Sequence, residues 1–257
     1  MINGAREEQL ISAARMLEDA RRSNEPIVDL PEELRPISQD EAYYVQDRLS
    51  IVYGEVGGWK VGAPTAEATP MFAPMPQAWI AESGSVMGGG MMRRFRGLEA
   101  EIAFLMGKDL PPRDTPYSRD EVVAAIASCH PAIEVLDSGL LDPRNATRLS
   151  AIGDLQMHGG FVFGPAYADW KSVDFLKEKV ALVVDGVVRV ERTGSNTSGD
   201  LMRLLPWLAN EGASRTGGLK AGQWVTTGSW TGVELGMAGA TVDVRFSTVG
   251  GVGLKFA

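Results

Sequence analysis

Glu99 and Glu101 stand two apart in the run Leu98-Glu-Ala-Glu-Ile-Ala-Phe-Leu-Met106. On an extended strand that spacing puts both side chains on one face, with Cβ atoms about 6–7 Å apart, close enough for two carboxylates to share one cation. Leu98, Ala100, Ile102 and Phe104 then fall on the opposite face. Two solvated glutamates on an edge strand fit the same spacing. Context decides against that plainer reading: the run is strongly apolar, and a third acid, Glu134, sits in the equally apolar Pro131-Ala-Ile-Glu-Val-Leu136, where an unpaired charge is costly. Three such acids call for a compensating cation. Carboxylate oxygens suit Mg²⁺ or Mn²⁺, with Ca²⁺ also within range, whereas zinc draws on His and Cys, of which the chain has two and one. Three carboxylates leave about half of an octahedral shell for water or a chelating substrate, so such a site can act as a Lewis acid that polarises a carbonyl and stabilises an enolate.

The elements that must hold these acids are readable from periodicity. Leu10, Ile11, Ala14 and Leu17 recur at helical spacing over roughly residues 5–22, and a second helix is expected through Ala42, Val45, Leu49 and Val52 behind a capping box at Ser38-Gln-Asp-Glu41. The sequence thus predicts a helical N-terminal region over residues 1–56 and, after the Gly57-Gly58 break, a β-rich region over 57–257. Trp59-Lys-Val-Gly62 reads as a short strand, Pro64 to Pro76 as a loop followed by a glycine run at Gly88 to Gly90, and Ser118-Arg-Asp-Glu121 as a capping box opening a helix through Val122, Ile126 and Cys129 that Pro131 closes. Val180 to Glu191 is a hairpin around a type I′ turn at Asp185-Gly186. Leu201 to Asn210 is helical, with Pro206 marking a kink or a start. Short strands at Gln223–Thr227 and Thr241–Phe246 complete an α+β domain on a mixed, curled or barrel-like sheet.

Composition narrows the partners. Twenty-five basic against thirty-three acidic side chains give a net charge of −8, the wrong sign for nucleic acid or an anionic membrane surface. Cys129 is the single cysteine, which excludes an internal disulfide and fits a reducing, cytoplasmic setting. Charges interrupt residues 1–22, so no signal-peptide core is expected there. Gly250-Gly-Val-Gly253 has no helix after it, Thr227-Gly-Ser-Trp-Thr has the wrong spacing for a nucleophile elbow, and the Met-rich run through Met71, Met75, Met87, Met91 and Met92 reads as flexible core filling.

Gly58-Trp-Lys-Val-Gly62, Glu99-Ala-Glu-Ile-Ala-Phe104, Pro131-Ala-Ile-Glu-Val-Leu-Asp-Ser138 and Thr227-Gly-Ser-Trp-Thr-Gly232 occur in an order that resembles the fumarylacetoacetate hydrolase superfamily. The helical preface with Asp40-Glu-Ala-Tyr-Tyr-Val-Gln46 and the late Trp207-Leu-Ala-Asn210 make the chain similar to its 2-keto-4-pentenoate hydratase and 4-oxalocrotonate decarboxylase branch over nearly its whole length. The resemblance implies that Glu99, Glu101 and Glu134 are metal ligands, that Lys60 is an active-site lysine and that Ser229 and Thr231 contact a substrate carboxylate. By residue type alone Lys60 fits a surface position; beside a glycine turn it can instead face an anion as proton donor or electrostatic clamp. Ser229 and Thr231 are equally a turn chosen for glycine geometry.

Two segments depart from that branch. Phe72-Ala-Pro-Met-Pro-Gln-Ala-Trp-Ile80 stands where relatives carry an Asp-Tyr-Gly-like stretch, and Asp154-Leu-Gln-Met-His-Gly-Gly160 keeps an acid but loses small polar residues. His158 is therefore a candidate replacement acid or base, with a structural loop histidine as the alternative. The resemblance implies a Mg²⁺- or Mn²⁺-dependent lyase that hydrates a small 2-hydroxy-2,4-dienoate in aromatic catabolism, acting as a homo-oligomer. Decarboxylation of an oxalocrotonate-like acid and C–C hydrolysis of an acylpyruvate are alternatives on the same site. A catalytically silent assembly partner is the non-enzyme alternative, against which the three costly acids stand.

Overall fold

Periodicity changes from helix to strand at Gly57-Gly58, and packing explains the glycines: a Cβ on Gly58 would lie 2.5 Å from the Trp224 carbonyl oxygen. The computed structural model describes residue 2, residues 4–88 and residues 95–257. Gly89, Gly90, Met91 and Met92, parts of the expected glycine run and Met-rich stretch, lie outside the described residues.

Helices α1 (Gly4–Ser23) and α2 (Gln39–Val52) pack on one another, burying Leu10, Leu17, Val45 and Leu49 in a cluster shared with Leu140 and Leu155. Ser38 caps α2 by accepting from Glu41 N, but the expected reciprocal bond is absent, because the Glu41 carboxylate takes Ile37 N and Arg6 instead. The strands follow as β1 (Val56–Gly62), β2 (Met71–Pro76), β3 (Ile80–Glu82), β4 (Val86–Met87) and β5 (Gly97–Met106). Then come α3 (Arg119–Ala125), β6 (Ile126–Leu136), α4 (Arg148–Gly153), β7 (His158–Phe163), β8 (Lys179–Val184), β9 (Val187–Thr193) and α5 (Leu204–Asn210). After α6 (Ala213–Thr216), β10 (Trp224–Thr226), β11 (Glu234–Leu235), β12 (Thr241–Phe246) and β13 (Gly250–Phe256) complete the chain.

Two mixed sheets result, in the orders β2-β1-β10-β5-β6-β7-β3, with β11 added on β5, and β4-β13-β12-β8-β9. The fold is α+β, and the curled core expected from sequence is a pair of open sheets: no closed barrel forms among the described residues. Cross-strand partners share a face, so the register separates chemistry from core. Leu98, Ala100, Ile102, Phe104, Ile133 and Val135 face the second sheet, in one buried cluster with Leu182, Val244 and Leu254. Lys60, Thr226, Glu99, Glu101 and Glu134 share the other face.

Several boundaries differ from the sequence expectation. The helix after Ser118 stops at Ala125, and Cys129 and Pro131 lie within β6 rather than on and after a helix. Pairing on both sides of Ala132 to Leu136 outweighs the local helical pattern. Pro131 is tolerated because its carbonyl accepts from Gly164 on the β7 side, just beyond the last paired residue, Phe163, so the missing N–H forfeits no ladder bond. The expected Pro64–Pro76 loop contains β2, whose prolines are accommodated at the sheet edge. Asp185 and Gly186 have φ of 51° and 76°, as a type I′ hairpin requires. Pro206 falls in the first turn of α5, where its absent N–H has no partner to lose.

Candidate metal centre

Glu99 and Glu134 are direct cross-strand partners on β5 and β6, and Glu101 is two residues further along the same face. One carboxylate oxygen from each of the three lies within 4.8 Å of the others. Neighbouring strands supply the donors. Lys60 on β1 places Nζ 2.6 Å from Glu134 Oε1 and donates to the Gln156 carbonyl at 3.0 Å. From β10, the Thr226 hydroxyl donates to Glu101 Oε2, and Gly228 N donates to the same oxygen at 2.9 Å. Gly228 has φ +83°, a left-handed conformation that glycine adopts without strain and that turns this amide onto the carboxylate. The Ser229 hydroxyl, which donates to the Gly232 carbonyl and accepts from Thr231 N, lies near enough to the Glu99 carboxyl to favour its ionised form. Thr231 is buried, and its hydroxyl accepts from Ala100 N at 3.1 Å and donates to the Gly232 carbonyl at 2.9 Å, so its one proton is committed to holding the loop.

His158 is fully buried and stacks at 5.9 Å on Trp79, with Nδ1 2.8 Å from Glu134 Oε1. It reaches the cluster from behind Glu134. The preceding residues Leu155, Gln156 and Met157 have φ of 53°, 49° and 64°. Three consecutive non-glycine residues in the left-handed region cost roughly 1–2 kcal/mol each, so their surroundings must hold them there. Arg21 of α1 does so from below: Nε bonds Asp154 Oδ1 at 2.5 Å, and the guanidinium also donates to the carbonyls of Asp154, His158 and Asp137 at 3.0–3.1 Å. Asp154 in turn accepts from the Ser138 hydroxyl and from Gly139 N.

Burial, followed by repulsion from Glu134 and Glu99, pushes the Glu101 carboxyl well above the usual range. Burial likewise pushes Glu99 up to about 7, with Lys60 opposing. Burial alone would raise Glu134, but Lys60 and the His158 hydrogen bond hold it below the ordinary value. Lys60 is raised although burial opposes its charge, because Glu134 and Glu99 face it, and burial lowers His158. Without metal, burial works against ionising Glu99 and Glu101, while Lys60 and Glu134 form an ion pair beside a neutral imidazole.

This donor set fits a hard divalent cation. Fully ionised, three carboxylates face one ammonium, and Glu134 Oε2 is a buried acceptor without a hydrogen-bond partner. A cation would satisfy both deficits. Of the residues expected from sequence, Lys60, Glu99, Glu101, Glu134, His158 and Ser229 converge, and Thr231 is one step removed. Sequence reasoning missed Thr226, Gln156 and Arg21. Arg21 carried a signal: it continues the 10, 14, 17 apolar stripe of α1, and an arginine on such a face needs a buried acid.

Residues 53–254 match the family profile described as Fumarylacetoacetate (FAA) hydrolase C-terminal. The chain belongs to the fumarylacetoacetate hydrolase family. It is 25% identical over 254 residues to 2-hydroxyhexa-2,4-dienoate hydratase from Comamonas testosteroni, covering 93% of this chain and 94% of that one. It is 24% identical to 4-oxalocrotonate decarboxylase from Pseudomonas putida, covering 97% of each chain. The solved 4-oxalocrotonate decarboxylase from Pseudomonas putida G7, complexed with magnesium and adipate, superposes with a TM-score of 0.83 at 23% identity over 97% of this chain and 98% of that one, a likeness of fold. No helix among the described residues is long and apolar enough to cross a membrane.

Proposed function

We propose that this protein is a Mg²⁺- or Mn²⁺-dependent lyase that adds water to a small 2-hydroxy-2,4-dienoate, a reaction of aromatic catabolism, in the cytoplasm and as a homo-oligomer. The observation that carries the reading is the convergence of Glu99, Glu101 and Glu134 around a buried acceptor with no partner, beside a single lysine. Glu99, Glu101 and Glu134 would hold the metal, which when bound supplies a Lewis acid for the carboxylate and 2-oxo oxygens of the substrate.

The chain's own residues account for the rest. Lys60, raised and therefore protonated at neutral pH, serves as an electrostatic clamp or proton donor and not as a base. His158, neutral with its Nδ1 proton directed at Glu134, orients that carboxylate, and its full burial keeps it off the substrate. Ser229 presents the loop hydroxyl nearest the cluster to the substrate carboxylate, and Thr231 acts on the substrate through the loop it holds.

Hydration is favoured by the near-full-length similarity to named hydratases. Decarboxylation is the second reading, favoured by the similarity to a 4-oxalocrotonate decarboxylase. Mass spectrometry of products from 2-hydroxypenta-2,4-dienoate, 4-oxalocrotonate and an acylpyruvate, each with Mg²⁺ or chelator, separates them. The expected result is a metal-dependent gain of water on the dienoate. Loss of CO₂ keeps the site and changes the reaction, and release of pyruvate from the acylpyruvate points to C–C hydrolysis. No turnover by a folded, metal-loaded protein would overturn the lyase reading in favour of a silent assembly partner.

A further inference from the structure

We infer that Arg21, on the N-terminal helix and outside the segment that matches the family profile, is a positioning residue for the metal centre: it clamps both ends of the left-handed turn Leu155–Met157 and through that turn sets Lys60 and Glu134. The inference rests on reading Glu99, Glu101 and Glu134 as metal ligands.

The guanidinium straddles the turn. On the entry side it binds Asp154 through Oδ1 at 2.5 Å and through the main-chain carbonyl at 3.0 Å; on the exit side it binds the His158 carbonyl at 3.0 Å. Its third direction reaches the Asp137 carbonyl at 3.1 Å, three residues beyond Glu134 on the chain. Both outputs of the turn end on one atom. The Gln156 carbonyl fixes Lys60 Nζ, and His158 Nδ1 lies 2.8 Å from Glu134 Oε1, the oxygen that also pairs with Lys60 at 2.6 Å. A planar fork with donors in several directions can span entry and exit together; an ammonium, which acts as a point charge, cannot. Left-handed residues in succession persist only where the surroundings over-determine them, and Arg21 is the side chain that ties the two ends. Helix α1 is held close enough for this by Gly139, where a Cβ would meet the Leu17 carbonyl oxygen at 2.8 Å.

The test uses the full chain with Arg21→Met, Arg21→Lys and, as a control that loosens the same helix while leaving every hydrogen bond of the clamp in place, Leu17→Ala. Three readouts are taken well below each melting temperature: hydrogen exchange of the peptide spanning 153–160, Mn²⁺ affinity by electron paramagnetic resonance, and kcat and KM on 2-hydroxypenta-2,4-dienoate. Arg21→Met is expected to speed exchange in the turn about tenfold while β5 and β6 stay protected, and to weaken Mn²⁺ about tenfold, the scale of outer-shell changes at metal sites. It should lower kcat about 100-fold with KM moving less than about threefold. Arg21→Lys should restore melting temperature toward wild type while leaving turn exchange fast and kcat low, and Leu17→Ala should lower melting temperature alone. The inference is overturned if Arg21→Met matches Leu17→Ala in turn exchange and Mn²⁺ affinity. Should Arg21→Met not fold, wild-type exchange, Mn²⁺ affinity and kcat in Arg21→Lys overturn it equally. If the wild-type protein binds Mn²⁺ yet leaves the dienoate unchanged, the hydratase reading fails, and exchange and Mn²⁺ affinity still decide the clamp.

Discussion

Two ionic clusters are buried in this protein on either side of the Leu155–Met157 turn, and they are built differently. Around Arg21 and Asp154, whose side chains are 2% and 0% exposed, the guanidinium is in direct contact with one carboxylate, and the surrounding carbonyls, a hydroxyl and an amide take up the pair's hydrogen-bonding capacity. Around Lys60 and Glu134 one cation meets three carboxyls, and an acceptor oxygen is left over. Burial of charge is common to both, so burial does not mark the site. Imbalance does: the first cluster is complete as protein, whereas the second becomes complete only when something cationic enters.

The sharpest way to break the comparison is Glu101→Gln. Glutamine keeps an oxygen to accept from the Thr226 hydroxyl and Gly228 N but removes one ligand charge. Without metal, melting should be unchanged or improved, because a costly buried carboxyl is gone. Calorimetric Mg²⁺ or Mn²⁺ binding should be lost and turnover should fall on the order of 10³-fold, the scale of removing a charge-stabilising group. Wild-type metal binding in this variant would show that the cluster is an ordinary buried network.

Removing the cation from each cluster sharpens the contrast. Arg21→Met strands a fully buried Asp154, and denaturant unfolding should show a loss of about 3–5 kcal/mol relative to wild type that persists when both proteins are loaded with Mg²⁺. Lys60→Met removes the partner of Glu134, but there a divalent ion can replace the lost charge, so the loss in chelator should be largely recovered on adding Mg²⁺. Equal recovery in both variants would erase the distinction.

How far these clusters were legible in sequence follows from the same physics. The acids and Lys60 sit in strands whose alternation assigns faces, so Glu99, Glu101 and Glu134 were readable from spacing and apolar context, and the hairpin at Asp185-Gly186 from turn chemistry. The α3–β6 boundary was not readable, because Val122 to Cys129 suits a helix until β5 offers Ile126 to Cys129 partners. Nor was the route to Lys60 through Gln156, since a backbone carbonyl leaves no trace in residue type. Arg21 was visible only as a misplaced charge on an apolar stripe, and its partner lies 133 positions away.

Stability against pH separates the loaded and chelated forms more gently. Glu99 is raised from the ordinary 4.5 to about 7 by burial, so in the chelated protein it binds more protons folded than unfolded across that interval. Its contribution is fully present below the unfolded value and is lost as pH rises through about 7. In the loaded protein the carboxylates are ionised and neutralised by the cation, so that loss is absent. The gap in melting temperature between Mg²⁺ and chelator should therefore widen from about pH 5.5 to about pH 8. A gap that stays flat, or narrows, would mean that the acids do not exchange protons for metal.

The smallest effect expected is that of Ser229→Ala. The Ser229 hydroxyl stabilises the ionised form of Glu99, holding its carboxyl lower than burial alone would set it. Without that hydroxyl Glu99 should cling to its proton more strongly, and at neutral pH metal binding should weaken by about 1 kcal/mol, several-fold in affinity. Because the defect is one of protonation, raising the pH by about one unit should recover most of it, whereas the Glu101→Gln defect should not respond, as an amide has no proton to lose. Mn²⁺ titrations of both variants at two pH values would show this divergence. If Ser229→Ala stayed weak at the higher pH, the hydroxyl would be acting on loop geometry, through its bonds to Thr231 N and the Gly232 carbonyl, and not on the charge of Glu99.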